Sequence, residues 1–274
     1  MSSGDERGSA AESAGQPGPG WYPDPWDPSR VRYWDGTRWT EQTRPNAWTV
    51  AGYRSLVTPA RVLSVILVVY AVFTVVVVLS DLAELTLINR IVGDPGSVTH
   101  AETDASDQRQ ALLALVDVLC LLGIGVLFLV WFRLAYRNLP ALGVESPRFS
   151  SGWAVGAWFV PFLNLVRPKQ IMDEIWLNSD PLPAQPAANS MRQRVPLMLH
   201  CWWALVILGG VIGWIAFNLD RNATTPEQIQ DASAMTMVSD SVYLPLTILA
   251  YLVVADVTRR QEARAVRLAT GRPA

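Results

Sequence analysis

Residues 111–132 read ALLALVDVLCLLGIGVLFLVWF, an apolar run broken by a single charge, Asp117. As a helix this run extends roughly 33 Å, enough to cross a hydrocarbon core of about 30 Å. Three further runs, Val62–Ser80, Val195–Asn218 and Ser241–Ala255, contain no Asp, Glu, Lys or Arg. The first helix is expected to begin near Arg61 and end before Asp81. Its richness in β-branched residues is no objection, because in lipid the backbone must hydrogen-bond within its own segment. Half of the chain is apolar and 17% is charged, below the roughly 25% of a soluble domain. The fold class is therefore an all-α transmembrane helix bundle with four full crossings.

Asp117 carries the most information among the membrane positions. An Asp at a helix centre costs about 2.5 to 3.5 kcal/mol, while each surrounding Leu, Ile, Val or Phe returns about 0.3 to 0.6. Insertion therefore stands, and the carboxylate is expected to face the bundle interior or a wet cavity. It could serve a proton or cation pathway, or hold a structural hydrogen bond. His200 and Asp256 lie near helix ends and could form a pH-sensitive pair. Alternatively Asp256 is satisfied by Arg259 and Arg260 at i+3 and i+4. Gly152 with Gly156, and Gly209 with Gly213, have the spacing that lets membrane helices approach closely.

Orientation follows from the basic residues. They gather at Arg44, Arg54 and Arg61, at Arg133, Arg137 and Arg148, at Arg167, Lys169, Arg192 and Arg194, and at Arg259, Arg260, Arg264 and Arg267. The stretches 81–110 and 220–240 are acidic instead. Placing the basic stretches inside requires an even number of crossings, with both termini cytoplasmic at the plasma membrane. Gly152–Val166 then cannot cross. Its helix would reach only about 22 Å, and Pro161 removes a hydrogen-bond donor. We read it as re-entrant or interfacial, with Asn164 placed to bond at the break. An amphipathic helix starting at Pro168 follows, with Ile171, Met172, Ile175 and Trp176 on one face and Lys169, Asp173 and Glu174 on the other.

The N-terminal region differs in kind. Residues 1–19, rich in Ser, Gly, Ala, Glu and Pro, read as a disordered tail without a cleavable signal. Then come GWYPDPW at 20–26 and RYWDGTRWT at 32–40. Asp35-Gly36 between aromatic segments signals a hairpin whose turn needs positive φ, so residues 20–45 should form a small β module of two or three strands. A unit this short must pack with its aromatic rings. Trp21, Tyr22, Trp34 and Trp39 are thus candidate core residues. They are also candidate partner-binding residues for a Pro-rich or extended peptide, and both roles can hold. Residues 46–60 read as a linker, 61–268 as the membrane domain and 269–274 as a tail.

The module's motif resembles a short actinobacterial family, domain of unknown function 2510. That resemblance implies fusion to membrane or secreted segments and no defined ligand. Trp131 to Pro140 (WFRLAYRNLP), the Val-Pro-Phe-Leu-Asn stretch within Trp153–Trp176, and Arg260 to Arg264 (RQEAR) resemble a second family, domain of unknown function 4328. This second resemblance spans roughly Val62–Arg267 and implies a multi-pass bacterial membrane protein, without catalytic residues to carry over.

A net charge of −2 argues against nucleic-acid partners. Cys120 and Cys201 lie in apolar runs without CxxC spacing, and core packing is their expected role. No nucleotide loop, HExxH or supported Ser-His-Asp pattern occurs, so neither enzyme activity nor a cofactor or metal is expected. Membrane lipid and a protein partner of the module are the expected partners, and oligomeric state is left open. The leading expectation is a scaffold or sensor-like protein recruiting a partner through the module. The alternative is a small transporter or channel subunit using Asp117.

The parity argument is testable with single cysteines at Ser150 and Gln170 in a background without Cys120 and Cys201. Both should resist an impermeant thiol reagent in intact cells, and both should react after permeabilisation. Opposite labelling of the two sites would show that 152–166 crosses.

Overall fold

The computed structural model describes residues 18–27, 30–45, 50, 52–180 and 195–270. Most of the expected tails, the first residues of the expected linker, and Arg192 and Arg194 lie outside the described residues. The chain divides into two compact units, Met1–Thr49 and Val50–Ala274.

The first unit is a three-stranded antiparallel sheet in the order β1 (Gly20–Pro23), β2 (Arg30–Trp34) and β3 (Trp39–Pro45). The turn differs from the expectation. Trp34 stands opposite Trp39, so the loop has four residues, and Asp35 is its first member rather than a central left-handed one. Gly36 alone in that loop takes positive φ, at 99°. Asp35 Oδ1 accepts from the Thr37 N–H at 2.8 Å, the Arg38 N–H at 2.8 Å and the Thr37 hydroxyl at 2.7 Å. A short carboxylate that captures the next backbone donors closes this loop.

The second unit holds α1 (Val57–Gly93), α2 (His100–Arg137), the single turn α3 (Trp153–Gly156), α4 (Arg167–Leu177), α5 (Leu197–Asn222) and α6 (Pro226–Thr270). Helices α1, α2, α5 and α6 are long and apolar enough to cross a membrane. With 37 and 45 residues, α1 and α6 are about 55 and 68 Å long, far beyond the lipid core. The expected stop before Asp81 is thus corrected, since the acidic stretches are helix ends joined by tight turns. Capping explains this. Thr99 and Glu102 form a reciprocal capping box at the start of α2. At the start of α6, Gln228 Oε1 accepts from the Thr224 N–H at 2.9 Å while the Gln228 N–H donates to Thr225 Oγ1 at 3.3 Å. Such caps start helices in water, where no apolar run marks them.

α1 packs along α6, α6 along α5, and α2 more sparsely against α1. Gly209 and Gly213 lie against Val242 and Ser239 of α6, so their spacing serves a contact within the chain. Gly156 faces open space. Valines and leucines such as Val65, Val72, Leu122 and Val126 face outward, as lipid contact requires.

The core gathers at one end of the bundle, from Leu56, Leu63, Trp131, Phe132, Ile171, Met172, Leu199, Val253 and Val257 among others. α4 contributes Ile171, Met172 and Ile175, all fully buried. Its apolar face therefore packs into protein, not into the lipid interface as expected. Glu174 also turns inward, accepting from the Tyr136 hydroxyl at 2.9 Å and the Arg148 N–H at 2.6 Å. Lys169 and Asp173 pair on the outer side.

Segment 152–166 contains the single α-helical turn α3 and a short 3-10 turn at Leu163–Leu165, and no helix of spanning length. Phe162, at φ 64° and ψ −38°, sits in a tight turn closed by the Leu163 N–H to Pro161 C=O bond at 2.8 Å, a strained geometry for a residue with a side chain. Phe159 and Phe162 project outward there. Asn164 bonds through its backbone, to Val160 C=O at 3.0 Å.

Polar side chains close this end. Asn138 Oδ1 accepts from the Arg54 N–H at 3.0 Å, and its Nδ2 donates to Arg54 C=O at 2.8 Å and to Gln261 Oε1 at 3.2 Å. Glu262 Oε1 accepts from the Ser55 hydroxyl at 2.8 Å and the Leu56 N–H at 2.6 Å. Residues 54–56, read from sequence as linker, are thereby fixed to the bundle. Replacing the buried Asn138 with Leu keeps the γ-branched shape but strands these groups. We expect a loss of about 1 to 3 kcal/mol in denaturant titration of the solubilised protein, against less than about 0.5 kcal/mol for the exposed Arg137→Ala. Equal losses would remove Asn138 from the lock.

Candidate functional site

The module's aromatic rings divide between two faces because successive strand residues point to opposite sides. Trp21 pairs across the strands with Tyr33, the rings meeting edge to face at 5.4 Å. On the other face Trp39 meets Tyr22 at 6.3 Å and Trp34 at 5.2 Å. The four sequence candidates thus do not line one groove. All are half-buried, and such ring pairs contribute about 0.5 to 1.5 kcal/mol beyond their buried area.

Trp26, which the sequence reading passed over, is 56% exposed. The Arg32 guanidinium lies 5.1 Å from its ring centre, and that guanidinium is immobilised by Asp24 Oδ2 at 2.9 Å and Thr40 C=O at 2.8 Å. Asp24 is itself buried and also accepts from the Trp26 N–H at 2.9 Å. The result is a rigid aromatic ledge. The Asp-Pro-Trp order was its only signal, and nothing in that order places Arg32.

In the second unit the Tyr70 hydroxyl donates to Asp117 Oδ1 at 2.9 Å. Asp117 lines a cleft of about 730 Å³ among α1, α2, α5 and α6, together with Asp81, Glu84, Asp107, Asp220 and Asp240. All but Asp117 come from the acidic stretches 81–110 and 220–240, and continuous helices bring them together. A smaller depression at the other end, about 460 Å³, is edged by Arg54, Arg133 and Arg137.

His200 and Asp256 do not act as a pair. His200 is exposed on α5, while Asp256 binds Arg260 at 3.0 Å and also Arg259. Arg260 in turn covers Trp176 at 4.0 Å. Asn164 is half-buried at the 152–166 turn. Among the described residues no three His, Cys, Asp or Glu side chains are grouped to hold a metal ion.

Fold and sites together define a multi-pass membrane protein carrying a small β module. Residues 94–259 match the family described as "Domain of unknown function (DUF4328)", and the chain belongs to that family. The match is narrower than Val62–Arg267. It contains the stretches at 131–140 and 153–176, and it stops just short of Arg260–Arg264. Residues 19–52 match "Protein of unknown function (DUF2510)". No curated protein and no solved structure matches the chain.

The Asp35 loop gives a pH test. The Thr37 hydroxyl first, then the Arg38 and Thr37 N–H groups and the Arg38 charge, hold its carboxyl down to about 2. A depressed carboxylate contributes stability above its unfolded pKa, near 3.9, and loses it as pH falls through the folded value. The carboxyl carbon resonance of Asp35 should titrate with a midpoint near 2. A midpoint near 4 would show that the loop bonds are not held in solution.

Proposed function

We propose that this is a non-enzymatic scaffold or sensor-like protein of the plasma membrane, with both termini cytoplasmic, whose Trp-rich module recruits a protein partner. The observation that carries this reading is the Trp26 ledge. An exposed indole held by Arg32 and Asp24 offers a preorganised surface on which a proline or an extended peptide can stack, at low ordering cost. Trp34 and Trp39 then belong to the module's packing rather than to its contact surface. The orientation is supported by charge, with Arg133, Arg137, Arg167, Lys169 and Arg259 at one end of the bundle and the acids of the cleft at the other.

A second reading, transport through Asp117, is supported by the cleft. Its lining ends at Val77, Val118 and Gly213. Toward the basic end the same helices carry the buried Leu63, Leu67, Trp131 and Phe132, which favours binding over conduction.

The recruiting function is tested by cross-linking capture with the full-length protein in native membranes. Trp26→Ala should reduce partner capture at least tenfold while the strand amides stay protected. Trp39→Ala should lose both capture and protection. If Trp26→Ala captures as the parent does, the ledge is not the contact surface. Deleting residues 1–45 should leave a stably inserted bundle, and degradation of that truncation would count against a separable module.

A further inference from the structure

The cleft among α1, α2, α5 and α6 is lined by six carboxylates, from Asp81, Glu84, Asp107, Asp117, Asp220 and Asp240. Little within the protein offsets them. Arg109 reaches Glu84 at 3.4 Å and otherwise donates to the Ser80 and Ser106 hydroxyls at 2.8 Å. Tyr70 supplies one hydroxyl to Asp117.

Asp81 is the telling member. Its residue is 6% exposed, one oxygen receives only a long contact from Gln110 Nε2 at 3.4 Å, and the other, Oδ2, has no hydrogen-bond donor. The carboxyl of Asp240 lies within hydrogen-bond reach of it. Buried carboxylate oxygens are costly without donors, and two adjacent carboxylates either share a proton or take positive charge between them. A cation rich in hydrogen-bond donors would satisfy these oxygens, which as carboxylates can only accept.

Size and lining narrow the class. A cleft of about 730 Å³ falls within the roughly 300 to 1,000 Å³ of small-molecule pockets. No three of the described acids are grouped for a metal ion, and a chelated divalent cation needs several oxygens at about 2.0 to 2.6 Å. Between the carboxylates the walls are apolar at Val77, Ala114, Val118, Ala216 and Phe217, with Gln110, Ser233, Thr236 and Ser239 beside them. Such walls suit methylene groups.

The geometry points to a binding site for organic ammonium ions, with aliphatic mono- and diamines as the ligand class. The deepest acid, Asp117, would take one ammonium. Asp81 with Asp240, nearer the end of the bundle, would take the same group or a second one along the chain. Ammonium of this kind can come from a free amine or from an aminophospholipid headgroup.

The test uses the full-length protein in uncharged maltoside micelles, with 1,5-diaminopentane as the probe and calorimetry as the readout. NaCl and MgCl2 at equal ionic strength serve as controls. Saturable diamine binding is expected, weakened at least tenfold by Asp81→Asn and by Asp117→Asn and unchanged by Asp104→Asn, whose exposed acid lies outside the cleft. Ala114→Phe should also abolish binding. It fills the cleft while leaving every carboxylate in the chain, so it remains decisive if an Asn variant fails to fold. Competition by phosphatidylethanolamine but not phosphatidylglycerol would support the site and assign its ammonium to lipid. Heat reproduced by Na⁺ or Mg²⁺, or affinity unchanged in both Asp81→Asn and Ala114→Phe, would overturn the proposal.

Discussion

The hydrogen bond from the Leu56 N–H to Glu262 at 2.6 Å joins residues 206 positions apart, and the closed end of the bundle is organised around it. The first N–H groups of a helix have no partner within the helix, and Leu56, just before α1, is fully buried. Water cannot satisfy that donor, so a carboxylate from the end of α6 does. A charged acceptor makes the stronger bond. It also fixes where α1 begins relative to where α6 ends, and with it the register of the two helices. Asn138 and Gln261 repeat the device one element away, with the Gln261 Nε2 donating to Ala135 C=O at 2.9 Å. Trp131 adds an indole N–H bond to Thr258 at 3.1 Å. Once these ends are pinned, the large side chains between them have one way to pack.

The other end obeys an opposite logic. The same helices run on past the lipid, but there they carry carboxylates, and small residues such as Ala114, Gly213 and Ala216 line the space between them. Like charges resist close approach, and small side chains do not fill the gap. Turns at 94–99 and 223–225 hold the helix pairs together beyond it through Arg90–Glu102 at 3.2 Å and Gln230–Asn89 at 2.6 Å. The cleft is thus framed by polar contacts outside and by the apolar core below.

Much of this was legible in the sequence, for stated reasons. Long apolar runs, three of them uncharged and the fourth broken only by Asp117, marked all four membrane helices, and the short, Pro-broken run at 152–166 marked a segment that does not form a spanning helix. What the runs could not show was where helices end in water. The signals existed in Thr99-x-x-Glu102 and Thr225-Pro-x-Gln228, both capping patterns, and reading them would have turned two acidic loops into helix ends. Asp117 was singled out from its cost in lipid, but Asp81 and Asp240 look like ordinary loop acids until the helices are extended and brought together. In the module, the strands were readable from aromatic spacing, whereas the division of Trp21 from Trp34 and Trp39 depends on register, which a one-residue slip would invert.

The two ends are not independent, because α1 and α6 build both. Asp81 and Asp240 lie side by side in the cleft, and the same helices meet again at Leu56 and Glu262. A helix transmits a displacement along its axis while its hydrogen-bond ladder is intact. The one interior proline of α6, Pro245, lies between these contacts and weakens the ladder locally. A cation seated between Asp81 and Asp240 would relieve the repulsion that separates α1 from α6 at that end. The free energy available to shift the helices equals the ligand's difference in affinity for the two arrangements and no more. At the other end the same two helices meet at the Leu56–Glu262 bond, where the chain arriving from the N-terminal module enters α1. An amine site at one end and a recruiting module before the other would therefore share a pair of helices as their physical link.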